Sequence, residues 1–154
     1  MSEEAANGPA EEDRAPVEIR RVTDTGVMKE AEGLFDKPID TGAAEKFLAG
    51  DGHHLLLAYE NGKPVGMVTG VEMTHPDKGT EMFLDELGVD PEHRGRGIGS
   101  QLIQGLVDIA RQRGCYGMWT IAERDNAAAH AAYERAGGTR EDDETTFAWE
   151  FERG

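Results

Sequence analysis

The sequence predicts a mixed α/β domain with a partly antiparallel central sheet. Three observations carry this. The run HLLLAYENGKPVGMVTGVEM (54–73) holds two apolar stretches around Asn61-Gly62, a pair that suits a type I′ hairpin turn. The stretch HRGRGIGSQL (93–102) follows a further apolar run and opens a helix with one apolar face. Helical and extended patterns then alternate, giving the order β, α, α, three strands, α, β, α, β.

Each element has a local reason. VEIRRV (17–22) reads as the first strand. Between Thr25 and Phe35, Val27, Ala31, Leu34 and Phe35 fall at helical spacing. Thr41 is a candidate cap for a second short helix through Leu48, ended by Gly50. After the hairpin, THPDKG (74–79) reads as a loop and EMFLDELGV (81–89) as a third long strand, broken by Asp90-Pro91. Ile98, Leu102, Ile103, Leu106, Ile109 and Ala110 make one face of the next helix, which Gly114 ends. CYGMWTIA (115–122) is extended, Asn126 caps a helix closed by Gly137, and TTFAWEF (145–151) is a last strand.

Composition narrows the function classes. The 154 residues show no internal repeat or interdomain linker, so residues 16–154 read as one domain. The net charge is −15, and Glu3, Glu4, Glu11, Glu12 and Asp13 open the chain. Residues 1–15 have no hydrophobic period and read as a disordered acidic tail. The acidic balance argues against nucleic acid, which needs a basic footprint. It permits a cationic small substrate, while composition by itself favours plain solubility. No apolar run approaches the ~18 residues of a membrane span. With no secretory leader pattern and a single cysteine, Cys115, the expected location is cytoplasmic. His53, His54, His75, His93 and His130 share no ligand spacing with Cys115, so no metal is expected, and Cys115 reads as inert core. His75 reads as a loop residue that can also line a cleft.

The glycine-rich turn is the most informative motif. Backbone N–H groups at a helix start lack intrahelical partners and carry the positive end of the dipole. Gly95, Gly97 and Gly99 let an anion approach closely, and Arg94 and Arg96 add charge that can pair with phosphate. The stretch therefore reads as a pyrophosphate cradle. A dinucleotide fold would place G-x-G-x-x-G directly at a strand end. Glu123, at the end of the next strand, sits where a ribose-binding acid would, but the glycine spacing here differs. No G-K-S or G-K-T follows, which excludes a nucleotide-triphosphate loop.

Arg94-x-x-Gly97-x-Gly99 matches the R/Q-x-x-G-x-G/A signature of the GNAT superfamily of N-acetyltransferases. NAAAHAAYERAGG resembles the last motif of that superfamily, and the resemblance runs from Val17 to Phe151. Within it the chain most resembles the type I aminoglycoside 3-N-acetyltransferases, through GMVTGVEMTHPDKGTEMFLDELGVDPEHRGRGIG and RQRGCYGMW. Some of those enzymes carry an aromatic residue before the key acid, where this chain has Asp85. The resemblance implies a GNAT fold, a mixed sheet of about six to seven strands splayed at its centre and flanked by about four helices. It also implies acetyl-coenzyme A as acyl donor.

Site roles follow from the same resemblance. Coenzyme A would be held by Leu87, Gly88 and Val89 on the strand and by Arg94, Gly95, Arg96, Gly97, Ile98, Gly99 and Ser100 in the turn, with Asn126 and Tyr133 beyond. An alkyl amine has a pKa near 10, so only about one molecule in a thousand is neutral at pH 7 and a base is needed. Glu86 matches the family's acid and is the expected base. Tyr133 would protonate the leaving thiolate. Leu87 and Val89 match the positions whose N–H groups hold the acyl carbonyl. Adjacent strand residues point to opposite faces, so Asp85 and Glu86 share a site only if the strand is bulged, and Gly88 fits such a distortion. Asp36, Asp85, Glu86, Glu123, Asp125, Asp143 and Glu144 are candidate partners for a polyamine, the last two within the acidic run from Glu141 to Glu144.

The expected activity is acetylation of the 3-amino group of the 2-deoxystreptamine ring of an aminoglycoside. That removes a positive charge and would confer antibiotic resistance. The alternatives are another amine acceptor (a polyamine, a protein N-terminus or a lysine) and a non-catalytic acyl-coenzyme A-binding module. The apolar last strand can supply a homodimer interface.

Overall fold

The computed structural model describes residues 17–153. The acidic tail expected over residues 1–15 lies outside the described residues, as does Gly154. One sheet forms the centre, with strand order β1 (Glu18–Arg21), β2 (His53–Glu60), β3 (Lys63–His75), β4 (Gly79–Val89) and β5 (Met118–Trp119). The first four strands pair antiparallel and β5 joins β4 parallel. Four α-helices pack on it: α1 (Thr25–Glu30), α2 (Thr41–Ala49), α3 (Ile98–Gln112) and α4 (Ala127–Arg135).

The sheet is buried on both faces, which explains the unbroken apolar run in β2. Leu55 and Leu57 face α1 and α2, in a cluster with Val22, Met28, Ala31, Ala44 and Met67. Leu56 and Ala58 face the other way, in a cluster with Val68, Met82, Leu84 and the α3 residues Ile98, Leu102, Ile103 and Leu106. Gly70 allows that helix to sit close, since a Cβ there would lie 2.9 Å from Leu106. The β2–β3 turn is the expected one: Asn61 and Gly62 both take positive φ, +52° and +78°. Helices α3 and α4 end as glycine caps should. Cys115 N–H donates to the Ala110 carbonyl and Gly138 N–H to the Tyr133 carbonyl, with Gly114 and Gly137 left-handed.

Several expectations are corrected. Among the described residues the sheet has five strands rather than six to seven, because TTFAWEF is unpaired and Cys115–Ala122 pairs only at Met118–Trp119. A strand needs a partner backbone as well as an alternating pattern, and the segment from Thr139 to Arg153 finds none among the described residues. The helix expected over Thr25–Phe35 breaks after Glu30 into a 3-10 turn, Glu32–Leu34, where Gly33 weakens propagation. Asp40, not Thr41, caps α2: its Oδ1 accepts from Ala43 N–H at 3.1 Å, and a charged carboxylate is the stronger partner for a helix dipole. THPDKG is a tight reversal within a long hairpin, so His75 ends β3 and hydrogen-bonds Glu81 at 2.6 Å. Cys115 follows α3 instead of opening a strand. Its thiol is pushed up, first by burial and then by the Glu72 charge.

Candidate active site

Two breaks in the sheet create the site. The first is a bulge in β4. Thr69 pairs with Glu86 and Gly70 with Leu84, so Asp85 is the extra residue. The expected distortion therefore exists, centred on Asp85 instead of Gly88. Glu86 is turned toward Thr69, whose hydroxyl donates to Oε1 at 3.4 Å. Gly88 has a different reason to lack a side chain: a Cβ there would lie 2.9 Å from the Leu34 carbonyl. The 3-10 turn after α1 thus rests directly on β4.

The second break is the splay between β4 and β5. The two strands pair only at Met82–Met118 and Phe83–Trp119. Thr120 Oγ1 then donates to the Leu84 carbonyl at 2.7 Å, and the chain departs from the sheet. Beyond that point β4 has an unpaired edge. Asp90 N–H donates back to Val65 on β3, while the Val89 carbonyl accepts from Arg94 Nε at 3.1 Å. By strand alternation, the N–H groups of Leu87 and Val89 face the open side.

An open cleft of about 350 Å³ lies on the α1–α2 side of the sheet. Met28, Phe35, Ile39, Phe47 and Leu55 give it apolar walls, and Asp36, Lys37, Asp40, Thr69 and Glu86 give it polar ones. Glu32 shapes one wall by accepting from Ile39 N–H at 3.0 Å, which folds Asp36–Ile39 back over the cleft. The Glu86 carboxyl is held above the ordinary glutamate range, first by burial, then by the charge of Asp85 and less by that of Asp36, with the Thr69 bond opposing.

The glycine-rich turn leads from β4 into α3. Gly95 and Gly97 have φ of +78° and +81°, conformations that disfavour an L side chain, and a Cβ on either would meet open space. Gly97 is the N-cap of α3 and supplies no side-chain cap, so the first N–H groups of the helix stay unsatisfied. The Ser100 hydroxyl is shielded from solvent without a partner among the described residues. Unsatisfied donors, an orphaned hydroxyl and the exposed Arg94 together fit a bound pyrophosphate. Arg96 is already engaged: Nη2 donates to Glu60 Oε2 at 2.7 Å. His93 sits between Asp90 Oδ2 at 2.7 Å and Glu60 Oε1 at 3.1 Å. The half-buried Glu60 therefore pins the turn to the β2–β3 hairpin from two sides.

Helix α4 closes the far side. Asn126 Oδ1 accepts from Ala129 N–H at 3.1 Å, so its capping role is present. A Cβ at Gly99 would lie 3.8 Å from Ala132, which puts the N-terminus of α3 against α4. The neighbouring Tyr133 packs on the core, and burial pushes its phenol up, partly offset by a hydrogen bond with Thr120.

The candidate residues thus fall into groups. Asp36 and Glu86 line one cleft, with Asp85 beside them. Leu87, Gly88 and Val89 border the splay, and Arg94 to Ser100 form the turn. Glu123, Asp125, Asp143 and Glu144 are exposed and do not line that cleft. Sequence reasoning missed Thr69, Thr120 and Glu60. Glu60 and Arg96 are far apart in the chain, and no local pattern links them. His93 had a signal, since Asp90 stands three residues before it.

Comparison with known proteins agrees with this architecture. The N-alpha-acetyltransferase RimI of Mycobacterium tuberculosis is 33% identical over 133 residues, covering 83% of this chain and 82% of that protein. The L-2,4-diaminobutyric acid acetyltransferase of Streptomyces coelicolor is 34% identical over 92 residues, covering 59% of this chain but only 48% of that protein, so the chain spans about half of that relative. Among solved structures, the aminoglycoside N-acetyltransferase AAC(6')-Iy in complex with the bisubstrate analogue CoA-S-monomethyl-acetylneamine superposes with a TM-score of 0.76 at 18% identity. That match covers 88% of this chain and 99% of that one, and at such identity it speaks for the fold. Residues 24–138 match the acetyltransferase (GNAT) family, to which this chain belongs.

Proposed function

We propose that this chain is an acetyl-coenzyme A-dependent N-acetyltransferase that acetylates a primary amine held in the Glu86 cleft. The observation that carries the proposal is the meeting of two half-sites at one strand. A carboxylate raised in pKa faces the cleft on β4, and the turn that follows the same strand holds left-handed glycines and an uncapped helix start. Bound acetyl-coenzyme A would supply an activated acyl thioester. The unsatisfied N–H groups of α3, with Arg94, would hold its pyrophosphate. Leu87 and Val89 N–H groups would donate to the acyl oxygen as negative charge develops there, worth a few kcal/mol per donor. Glu86 would take the proton from the ammonium, directly or through one water, so that the neutral amine can attack. Tyr133, kept protonated by burial, would return a proton to the leaving sulfur.

For the acceptor, the reading is a cationic aminoglycoside, with the 3-amino group of the deoxystreptamine ring as the expected position. Support comes from the acidic balance of the chain and the Asp36, Asp40 and Glu86 carboxylates of the cleft. The fold likeness to an aminoglycoside enzyme adds to it, although that enzyme is of the 6' type. Such a reaction would remove a charge from the drug and act as resistance. A second reading, an amino-acid or peptide amine, rests on the apolar cleft walls of Phe35, Ile39 and Phe47 and on the RimI relative. Thiol release from acetyl-coenzyme A would be measured with gentamicin, kanamycin, spermidine and a short peptide with a free α-amine. Turnover on the drugs alone supports the first reading, and turnover on the peptide alone the second. Binding of acetyl-coenzyme A without turnover of any amine would sink both and leave the binding module.

A further inference from the structure

We infer that Thr69 is a positioning residue for Glu86: its hydroxyl holds one carboxylate oxygen and leaves the other facing the cleft for the amine. The inference rests on the reading of Glu86 as the base.

Thr69 stands where packing alone has no use for a hydroxyl. It is 4% exposed and, with His54, makes up the buried polar side chains among the described residues. By strand alternation it shares the face of Met67, which packs in the α1–α2 cluster, while Val68 faces the other way. Its cross-strand neighbours are Leu55 on β2 and Glu86 on β4. Leu55, Thr69 and Glu86 all line the cleft. Valine has the same branched shape and would suit this apolar wall with no polar group to satisfy. Among the described residues the hydroxyl has one hydrogen-bond partner, Oε1 of Glu86, at 3.4 Å.

The β4 bulge makes this contact. Directly after the extra residue, Asp85, pairing resumes with Glu86 opposite Thr69. A threonine hydroxyl has one proton and an ionised carboxylate only accepts, so the direction of the bond is fixed. Oε1 is then occupied, and Oε2 is the oxygen left to act. In the transfer the ammonium N–H breaks, its proton goes to Oε2, and the electron pair stays on nitrogen for attack on the thioester. Thr69 itself moves no proton. Catalytic hydrogen bonds of this length often tighten only once substrate is bound.

The bond also acts on the charge. Burial, Asp85 on the same strand and Asp36 in the cleft wall oppose ionisation of Glu86, and the Thr69 donor favours it. Lys37 and Asp40 are the other charged groups of the cleft. Removing the hydroxyl therefore pushes the carboxyl further up.

The test compares Thr69→Val and Thr69→Ser in the full chain by two readouts. The first needs no acceptor: the carbon-13 carboxyl resonance of Glu86 followed with pH, identified by its loss in Glu86→Gln. The valine variant should titrate at higher pH than wild type, and the serine variant close to wild type. The second is the pH profile of kcat for acetyl transfer. In Thr69→Val the acid limb should move to higher pH. At neutral pH kcat should fall about twofold to tenfold, recover at high pH, and leave the KM for acetyl-coenzyme A unchanged. In a Glu86→Gln background, Thr69→Val should change kcat no further. Calorimetric melting checks folding, and Thr69→Ala, which also lacks the hydroxyl, should repeat the valine result. An unmoved carboxyl titration overturns the inference. So does an equal loss of kcat at every pH, or a further loss in the Glu86→Gln background, since each marks a packing role; the base reading survives all three. Full turnover by Glu86→Gln alone sinks the base reading, and the inference falls with it.

Discussion

Replacing Gly97 and Gly114 by alanine, one at a time, separates cofactor binding from helix stability. The two glycines bracket α3, with φ of +81° and +80°, and a Cβ on either meets nothing within 4 Å. The cost of forcing an L residue into that conformation is therefore the same at both, about 1–2 kcal/mol, with no clash to add. For a domain of this size each variant should melt roughly 3–8 °C lower. Their effects on acetyl-coenzyme A should diverge. The open space at Gly97 lies at the uncapped N-terminus of α3, where phosphate would approach, so a methyl group obstructs the ligand. The Kd should rise tenfold or more, about 1.4 kcal/mol. Gly114 lies past the opposite end of the helix, and its replacement should leave the Kd nearly unchanged. Calorimetric melting gives the first quantity and titration calorimetry, well below both melting temperatures, the second. Equal losses of affinity would refute the reasoning, because the effect would then follow general loosening. Unchanged affinity in Gly97→Ala would remove the turn from the binding site.

Three further outcomes are expected. Glu86→Gln should lower kcat at neutral pH by about 10²-fold, and the wild-type rate should climb with pH through the raised carboxyl pKa while the variant loses that limb. The stability effect has the opposite sign. A carboxyl raised on folding stabilises the fold below its unfolded pKa and loses that contribution as pH rises through the folded value, so the glutamine variant should melt higher than wild type at neutral pH. A lower melting temperature there would count against a strained carboxylate. Arg94→Ala should raise the KM for acetyl-coenzyme A more than that for the amine in steady-state kinetics, and the reverse pattern would contradict a phosphate role. Glu60→Gln removes the charge that Arg96 and His93 share at 2.7 and 3.1 Å, and should raise the KM for acetyl-coenzyme A severalfold with kcat nearly constant. A fall in that KM would instead mean that Glu60 competes with phosphate for Arg96.

How much of this was legible depended on whether the cause was local. The hairpin turn needed only Asn61-Gly62, whose positive φ values leave few alternatives. The two-sided burial of β2 was written in consecutive leucines, and the glycine turn in its own spacing. The β4 bulge was anticipated from family resemblance, but its position was not, since register depends on Thr69 and Gly70 across the sheet. The break in α1 turned on Gly33, one residue outweighing an otherwise helical period. The last segment, residues 145–151, failed as a strand assignment for a more basic reason. TTFAWEF has the right alternation, but a strand's hydrogen bonds belong to two segments, and the second is not adjacent in sequence. The Glu60 anchor was invisible on the same ground.

The two core clusters share no buried residue, and that division separates how the molecule can change. The wall of the cleft is built largely from residues 28–47, whose apolar contacts lie on one face of the sheet. The glycine turn, α3 and α4 belong to the other face. Substitutions that reshape the cleft should therefore add almost independently to substitutions around the turn. A lineage could try new amine partners by rewriting one short block of sequence, with its acyl-handling half left intact. Gly88 is the exception, because a side chain there would press on Leu34 and couple the two halves mechanically.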